Sequence, residues 1–453
     1  MRLIALLLAA SALPAQDFVR VSAANPRYLE TSDGKLFIPN GPNIAWERFA
    51  TDEEEVFRLT EGRFRALAAE RGNFARIFLS HPFYQLDPVT PGVIDPARLR
   101  RIQRLVAIAK KHRIRLKLCL EHFRTVQDDP PRFPGSIPMG APHYRALFPD
   151  MTAYFSTPRG RAVFLAKLDA LAPLFANEPA IYGWELWNEI NSSRQPGWEE
   201  WTRDMLPELK KRFPRHLAMQ SLGSLDAESK LGIYQRMSAM PGNELAQVHR
   251  YLDPGAPLEI CRGPVDILTA DAIAKLLAYA PGRPVLISEV GAVEARHAGP
   301  FKLYAQDREG TLLHDGLFAA FFSGSAGAGQ FWHWQDYIEP NNLWWHFARF
   351  AEAVKDLDPR TPAMEPQRRD QAGLRIYALT SAQSTALWIR DAASDWKSEL
   401  QDRKPAALLR DVRIPWSSAQ ARIFDPWSGK WSTAKAQGGF VTLPPFRRSL
   451  VVR

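Results

Sequence analysis

Cysteine is scarce in this chain: Cys119 and Cys261 are the only two in 453 residues, too few for the disulfide framework of a small secreted scaffold. Cys119 lies in an apolar, strand-like run and reads as an inert buried thiol; a single bridge between the two stays open. Long apolar runs are missing as well. The stretch at 3–10 is far short of the ~20 residues that span a bilayer, and no later one suffices. Zinc-finger spacing, a His-Glu-x-x-His helix, a Gly-x-Ser-x-Gly elbow and a phosphate loop are all absent. The glycine-rich segment 324–329 precedes an apolar run instead of opening a helix, so it reads as a tight helix-to-strand connection. No cofactor and no metal are expected. Acidic residues are outnumbered, leaving a net charge of +9, but there is no basic tail. Arg98, Arg100, Arg101, Arg104, Lys110, Lys111 and Arg113 fall along one predicted helix, which a solvated helix face explains. Neither nucleic acid nor a membrane is expected as a partner, and the chain is expected to be a monomer.

What is present is an ordinary globular composition, 46% hydrophobic and 24% charged, in a chain longer than one average domain. Arg2, the apolar stretch 3–10 and the small residues around Ala12 or Ala15 read as an export signal over 1–15. A secreted or periplasmic location follows as an expectation. Apolar runs at 36–45, 74–79, 114–120, 181–187, 216–221, 245–249, 284–288 and 328–333 alternate with helical patterns. That alternation predicts a parallel sheet with crossover helices, and the count of eight predicts a closed (β/α)8 TIM barrel over 16–358. Thr60 is placed to cap a helix at 60–71, while Asp95-Pro96 and Thr157-Pro158 open two more. Residues 123–156 read as a long proline-rich loop of the functional or mobile kind. Pro359, Pro362 and Pro366 mark a linker, and 366–453 reads as a small β-sandwich packed on the barrel as an accessory domain. Its predicted strands are 374–379, 386–390, 422–424 and 440–443, with a turn at 425–429.

Catalytic residues of such a barrel sit at the C-terminal ends of its strands. The strand-end residues are Arg76, His122, Asn188, Glu189, His249, Tyr251, Glu289 and Trp332. Glu189 and Glu289 each follow an apolar run, at the fourth and seventh strand ends, positions that face one another across a barrel mouth. A pair of this kind suits glycoside cleavage, which needs one carboxyl held protonated and another ionised against the anomeric carbon. Simpler readings exist for the others. Arg76 could neutralise a barrel-interior acid such as Glu185, His122 and His249 could be satisfied core histidines, and Trp332 could fill the barrel top. Trp332 and Trp334 share strand parity, so which faces a ligand stays open. Trp46, His81, Phe83, Tyr84, Trp344 and Trp345 lie on or near strand-end loops and suit sugar faces, without any one being assigned.

Trp187-Asn188-Glu189 with the distal Glu289 resembles glycoside hydrolase clan A, and specifically family 5. The likeness extends through Gly72 to Arg76, His122, His249-Arg250-Tyr251 and Phe331 to Trp334, roughly over 25–355. The resemblance implies a retaining glycosidase in which Glu189 is the acid/base and Glu289 the nucleophile. It also implies that Asn188 bonds the sugar 2-hydroxyl, Arg76 and Tyr251 hold Glu289, and His249 lies near Glu189. His122 and Trp332 would line the −1 subsite. The leading expectation is an endo-acting β-1,4-glycanase of mannanase or cellulase type on an oligo- or polysaccharide. An exo-acting β-glycosidase or transglycosylase and a non-catalytic carbohydrate-binding barrel are the alternatives.

Overall fold

The computed structural model describes residues 17–122, 124–129 and 140–453. The expected export signal at 1–15 and the central part of the 123–156 loop lie outside the described residues. The chain is mixed α/β, followed by a C-terminal antiparallel sheet. Four parallel strands, Phe74–Phe78, Arg115–His122, Ile181–Asn188 and Leu217–Met219, form one sheet in that order. Ala246–Leu252 and Val285–Ala292 form a parallel pair. All six strands are buried along their whole length, as parallel strands covered on both faces must be. Backbone bonds continue between and beyond these sheets: Glu244 N–H to Ala218 at 3.0 Å, Leu225 to His249 at 2.8 Å, Trp332 to Val290 at 2.8 Å, Asn43 to Phe331 at 2.9 Å and Ile44 to Arg76 at 3.1 Å.

Two of the eight expected strands are not regular. The run 36–45 divides: Leu36–Phe37 pairs antiparallel in a small N-terminal sheet, and Asn43, Ile44 and Ala45 reach the parallel strands. Pro39 and Pro42 lack the N–H groups that a continuous ladder requires. The run 328–333 makes a single bridge, Phe331 to Val290, in a segment entered through Gly327 and Gly329. Both glycines abut backbone closely enough that a Cβ would meet Pro39 or Gly316 carbonyl oxygens below 3 Å. Thr60 is not a cap. The helix starts earlier, at Glu53–Ala69 with Asp52 as cap, because three acidic residues fill its first turn. Thr60 instead donates to the Val56 carbonyl in mid-helix. Asp95 and Thr157 do cap the helices Pro96–Lys111 and Pro158–Phe175.

The basic helix face has a specific use. Arg101, Arg104 and Lys111 pair with Glu53, Glu54 and Glu61 on the preceding helix, and Lys110 with Glu178. The described end of the long loop carries a helix, Met151–Ser156, and buries Tyr144, Phe148, Tyr154 and Phe155 against Trp187 and Trp201. Both cysteines are free and buried. Among the described residues no helix is long and apolar enough to cross a membrane.

At the C-terminus six strands form one antiparallel sheet, and Arg413–Pro415 pairs with Phe440–Thr442 as a separate ribbon. One face of the large sheet (Ile376, Ile389, Ile423, Val452) packs with the ribbon around Ile414 and Val441. The other face, with Tyr377, Trp388, Phe424 and Val451, is continuous with the main core. Four strands of this region escape the sequence pattern, among them Glu365–Gln371, a largely exposed edge strand with no apolar alternation.

Candidate active site

Parallel register brings the singled-out residues together. Arg76 pairs with Lys117, Cys119 with Glu185, His122 with Asn188, and His249 with Glu289 across an irregularity after Val248. Charges enter the interior against the parallel strands at Arg76, Lys117 and Glu185, all fully buried. Arg76 Nε and Nη2 donate to the two Glu185 carboxylate oxygens at 2.8 and 2.9 Å, and Lys117 Nζ lies 3.2 Å from the same group. Burial would raise the Glu185 pKa, but Arg76 and Lys117 outweigh it and hold the carboxyl below its ordinary value. Arg76 also reaches upward: Nη1 donates to Glu289 Oε1 at 2.5 Å and Nη2 to Asn188 Oδ1 at 2.7 Å. Arg76 therefore makes the contacts of both readings at once. One guanidinium neutralises the interior acid and holds the strand-end acid, a use that depends on its planar five-donor fork.

Glu289 receives a second donor, the Tyr251 hydroxyl at 2.5 Å from Oε2. Among the described residues no cation is bonded to Glu189. Its Oε1 lies 2.7 Å from His249 Nδ1, and the same nitrogen is 3.4 Å from Glu289 Oε2. One carboxylate oxygen of each glutamate and a ring nitrogen of His249 all lie within 4.8 Å of one another. Burial, with Arg76 and Lys117 nearby, pushes His249 well below its ordinary pKa, so the ring between the two acids is neutral. Burial and then the Glu289 charge push Glu189 well above the usual carboxylate range. Burial leaves Glu289 raised as well, but less far, because Arg76 and the Tyr251 hydroxyl pull against it. Two acids this close share protons, and their partners decide where the proton rests: on Glu189, with the negative charge on Glu289. Three such donors also meet the geometric condition for a divalent cation, but the Arg76 guanidinium already occupies Glu289 and would repel one.

Glu189 adopts a left-handed backbone, φ 52°, immediately after the strand Ile181–Asn188, a conformation that costs a non-glycine residue energy. The Ser221 hydroxyl, accepting from the Glu189 N–H at 3.1 Å, helps to hold it. Asn188 is buried, and because its carbonyl oxygen accepts from Arg76 its amide orientation is fixed. His122 is fully enclosed, with Nδ1 2.6 Å from the Ser80 hydroxyl, and burial holds it well below its ordinary pKa. Trp332 is half-buried and Trp334 buried, which separates the two that sequence parity left equal. Trp332 packs edge-on with Trp46 at 5.3 Å and against Phe78 at 5.8 Å, and Trp46 is parallel to His81. Phe83, Tyr84 and Trp344 are buried, and Trp345 stacks on His346 beside Trp427, away from the acids.

Sequence reasoning missed Asn43. Its amide donates to the Ser288 and Gln330 carbonyls at 3.1 and 3.0 Å while its Oδ1 lies 3.3 Å from Arg76 Nη1. Ser80 and Ser221 were missed too, since a serine after an apolar run carries no signal of its own.

No family model matches the chain, and no curated protein does. Solved structures do resemble it. A glycoside hydrolase is 12% identical, with 97% of this chain and 96% of that one covered at a TM-score of 0.60. A family 5 glycoside hydrolase from Bacteroides vulgatus ATCC 8482 is 13% identical, with 96% and 92% covered at 0.58. A family 5 mannosidase from Rhizomucor miehei is 15% identical, with 70% and 86% covered at 0.50. The longer matches take in the C-terminal sheet as well as the parallel strands. In fold, the chain resembles the glycoside hydrolases of family 5.

Proposed function

We propose that this chain is a retaining β-glycoside hydrolase on a (β/α)8 barrel, cutting β-1,4-linked glycan within the chain. The barrel reading rests on the backbone bonds that run from Asn43 through the parallel strands and back by way of Val290, Trp332 and Phe331. The observation that carries the activity is the pair of buried acids with unequal partners, Glu289 between Arg76 and Tyr251, and Glu189 beside neutral His249. Their separation, within 4.8 Å at the nearest oxygens, accords with the ~5 Å of retaining enzymes and not with the ~6.5–9.5 Å that leaves room for a water.

In the first step the ionised Glu289 attacks the anomeric carbon while Glu189 gives its proton to the departing glycosidic oxygen. The product is a glycosyl ester on Glu289. Glu189, now ionised, then takes a proton from water, the hydroxide attacks the same carbon, and the Glu289 carboxylate leaves. Two inversions give net retention. Asn188, its amide turned by Arg76, would donate to the sugar 2-hydroxyl, and half-buried Trp332 would offer its face to the ring in the −1 subsite that His122 also lines. The mannosidase among the structural relatives makes mannan the first polymer to try.

Mannan, glucomannan, cellulose derivatives and aryl β-glycosides should be screened, with products sized and their first-formed anomer read by NMR. Oligosaccharides released early in β configuration support the proposal. Monosaccharide alone makes the enzyme exo-acting. Initial α product, or no hydrolysis of any β-glycoside, overturns it.

A further inference from the structure

Beside the acid pair, three loops bring together a serine, a histidine and an aspartate that the reaction above does not use. Ser224 lies in the segment after the strand Leu217–Met219, Asp253 directly follows Ala246–Leu252, and His297 belongs to the turn after Val285–Ala292. The Ser224 hydroxyl is 3.1 Å from His297 Nε2, and His297 Nδ1 is 2.9 Å from Asp253 Oδ2. Each nitrogen of the ring therefore has one partner, in the order hydroxyl, imidazole, carboxylate. Asp253 is buried and fixed by two further donors, the backbone N–H groups of Gly255 at 2.8 Å and Arg296 at 3.0 Å. Its carboxyl is kept below the ordinary range: burial opposes this, but the His297 ring and the two N–H groups prevail. His297 itself is half-exposed, and Arg296 and His297 both take left-handed backbone, φ 62° and 58°. That is an expensive way to turn a side chain, and it is held in place by the Asp253 contacts.

This is the arrangement of an activated hydroxyl. An ionised, buried carboxylate orients the ring and fixes Nδ1 as the protonated nitrogen, leaving Nε2 to accept the proton of the serine. Such constellations are identified by geometry and roles, not by chain order or by the elbow motif, which this sequence lacks. A cation stands close by: Lys230 Nζ bonds the Ser224 carbonyl oxygen at 2.8 Å and Asp226 at 2.7 Å. The ring of His297 packs edge-on against Tyr251 at 5.3 Å, and Tyr251 holds Glu289. The two sets of residues thus share a wall.

We propose that Ser224, His297 and Asp253 form a second hydrolytic site, for small carboxylic esters. Ser224 Oγ attacks the acyl carbon as His297 Nε2 takes its proton. The tetrahedral intermediate collapses, and the alkoxide leaves with that proton from His297. Water, deprotonated by His297 Nε2, then attacks the acyl-serine, and Ser224 Oγ leaves with that proton from His297, releasing the carboxylic acid and restoring the hydroxyl and the neutral ring. Because His297 packs on the Tyr251 that holds Glu289, beside the glycan-cleaving acids, the site's natural substrate is an acyl ester on a carbohydrate hydroxyl. That last identification rests on the glycosidase reading, whereas the ester chemistry does not.

The full chain should be assayed with 4-nitrophenyl acetate and with an O-acetylated β-glycan, and treated with a fluorophosphonate followed by peptide mass mapping. Wild type should hydrolyse both esters and carry the label on Ser224. Ser224→Ala should lose labelling and fall to the buffer rate, and His297→Ala should lose at least about 100-fold in kcat/KM, the share of a general base. Glu289→Gln should keep ester hydrolysis, which separates this site from the glycosidase. Ser224→Ala should retain glycoside turnover and its melting temperature, showing that loss of ester cleavage is not misfolding. Acetate hydrolysed from the aryl ester but not from the glycan would overturn the carbohydrate assignment alone. No ester hydrolysis above buffer by wild type, or activity and label undisturbed in Ser224→Ala, would overturn the site and leave the three residues as a clasp between loops.

Discussion

Two of the regions in which the molecule buries carboxylates treat them oppositely. Where the C-terminal sheet meets the helices, each acid has its own guanidinium. Asp266 accepts from Arg375 at 2.5 and 3.2 Å and from the Tyr377 hydroxyl at 2.8 Å, and Asp315 accepts from Arg390 at 2.7 and 3.1 Å. Even so, burial pushes Asp315 up to about 7. At the strand ends Glu289 takes one guanidinium and a tyrosine hydroxyl, whereas Glu189 has a neutral histidine and, among the described residues, no bonded cation. The seam spends its charges on orientation and cohesion. The strand ends leave an acid uncompensated, and an uncompensated buried acid is a proton donor at neutral pH.

Deleting an acid should therefore have opposite consequences in the two places. Glu289→Ala should lower kcat by at least about 10^4-fold, the scale of losing a covalent nucleophile. The melting temperature should not fall, since Arg76 keeps its pair with Glu185. Retained turnover would break the assignment of Glu289. At the seam, Arg375→Met would strand the fully buried charge of Asp266, costing about 3–5 kcal/mol in denaturant unfolding. Its kcat and KM below the transition should stay at wild-type values. A lowered kcat with unchanged stability would mean that the sheet acts on the site and the contrast between the regions is false.

Sequence alone made the strand-end region more legible than the seam, for a physical reason. Glu189 and Glu289 each close a largely apolar run of strand length, so strand length and burial place them without knowledge of the tertiary structure. The seam acids sit inside helices and their arginines inside strands, where a charged residue reads as solvent-facing until the partner element is known. Asn43 was hidden by Pro39 and Pro42, which break the run around it. Trp332 and Trp334 parted only because His333 turns left-handed, φ 64°, and starts the helical turn Trp334–Ile338. Strand parity cannot foresee that.

Arg76 belongs to both kinds of region, pairing Glu185 as the seam arginines pair their acids and Glu289 as the site requires. Arg76→Ala should therefore show both signatures. Its melting temperature should drop, because Glu185 loses two of its donors. The acidic limb of the kcat/KM profile should also rise by about one to three pH units, the usual effect of an adjacent cation on a carboxylate. The sign follows from the chemistry: Glu289 must be ionised to attack, Arg76 favours the ionised form, and without it protonation sets in at higher pH. Lower stability with an unmoved acidic limb would assign Arg76 to the core alone. Arg76→Lys keeps a charge without the fork and should shift the limb less.

Tyr251→Phe gives the smallest effect and the sharpest reading, because it removes one donor from Glu289 and leaves every buried charge in place. The hydroxyl donates to Oε2, the oxygen that Arg76 does not use, so the two supports are separable. A hydrogen bond to a charged group contributes about 1.5–3 kcal/mol, and 1.36 kcal/mol corresponds to one pKa unit. The acidic limb should thus rise by about one to two units, short of the upper end expected for Arg76→Ala, with the melting temperature almost unchanged. The basic limb reports the proton on Glu189, which the tyrosine does not touch, and it should stay where it is. Movement of the basic limb with a fixed acidic one would exchange the roles of the two glutamates. If neither limb moves, the proton is placed by Arg76 and burial, and the hydroxyl only orients the nucleophile.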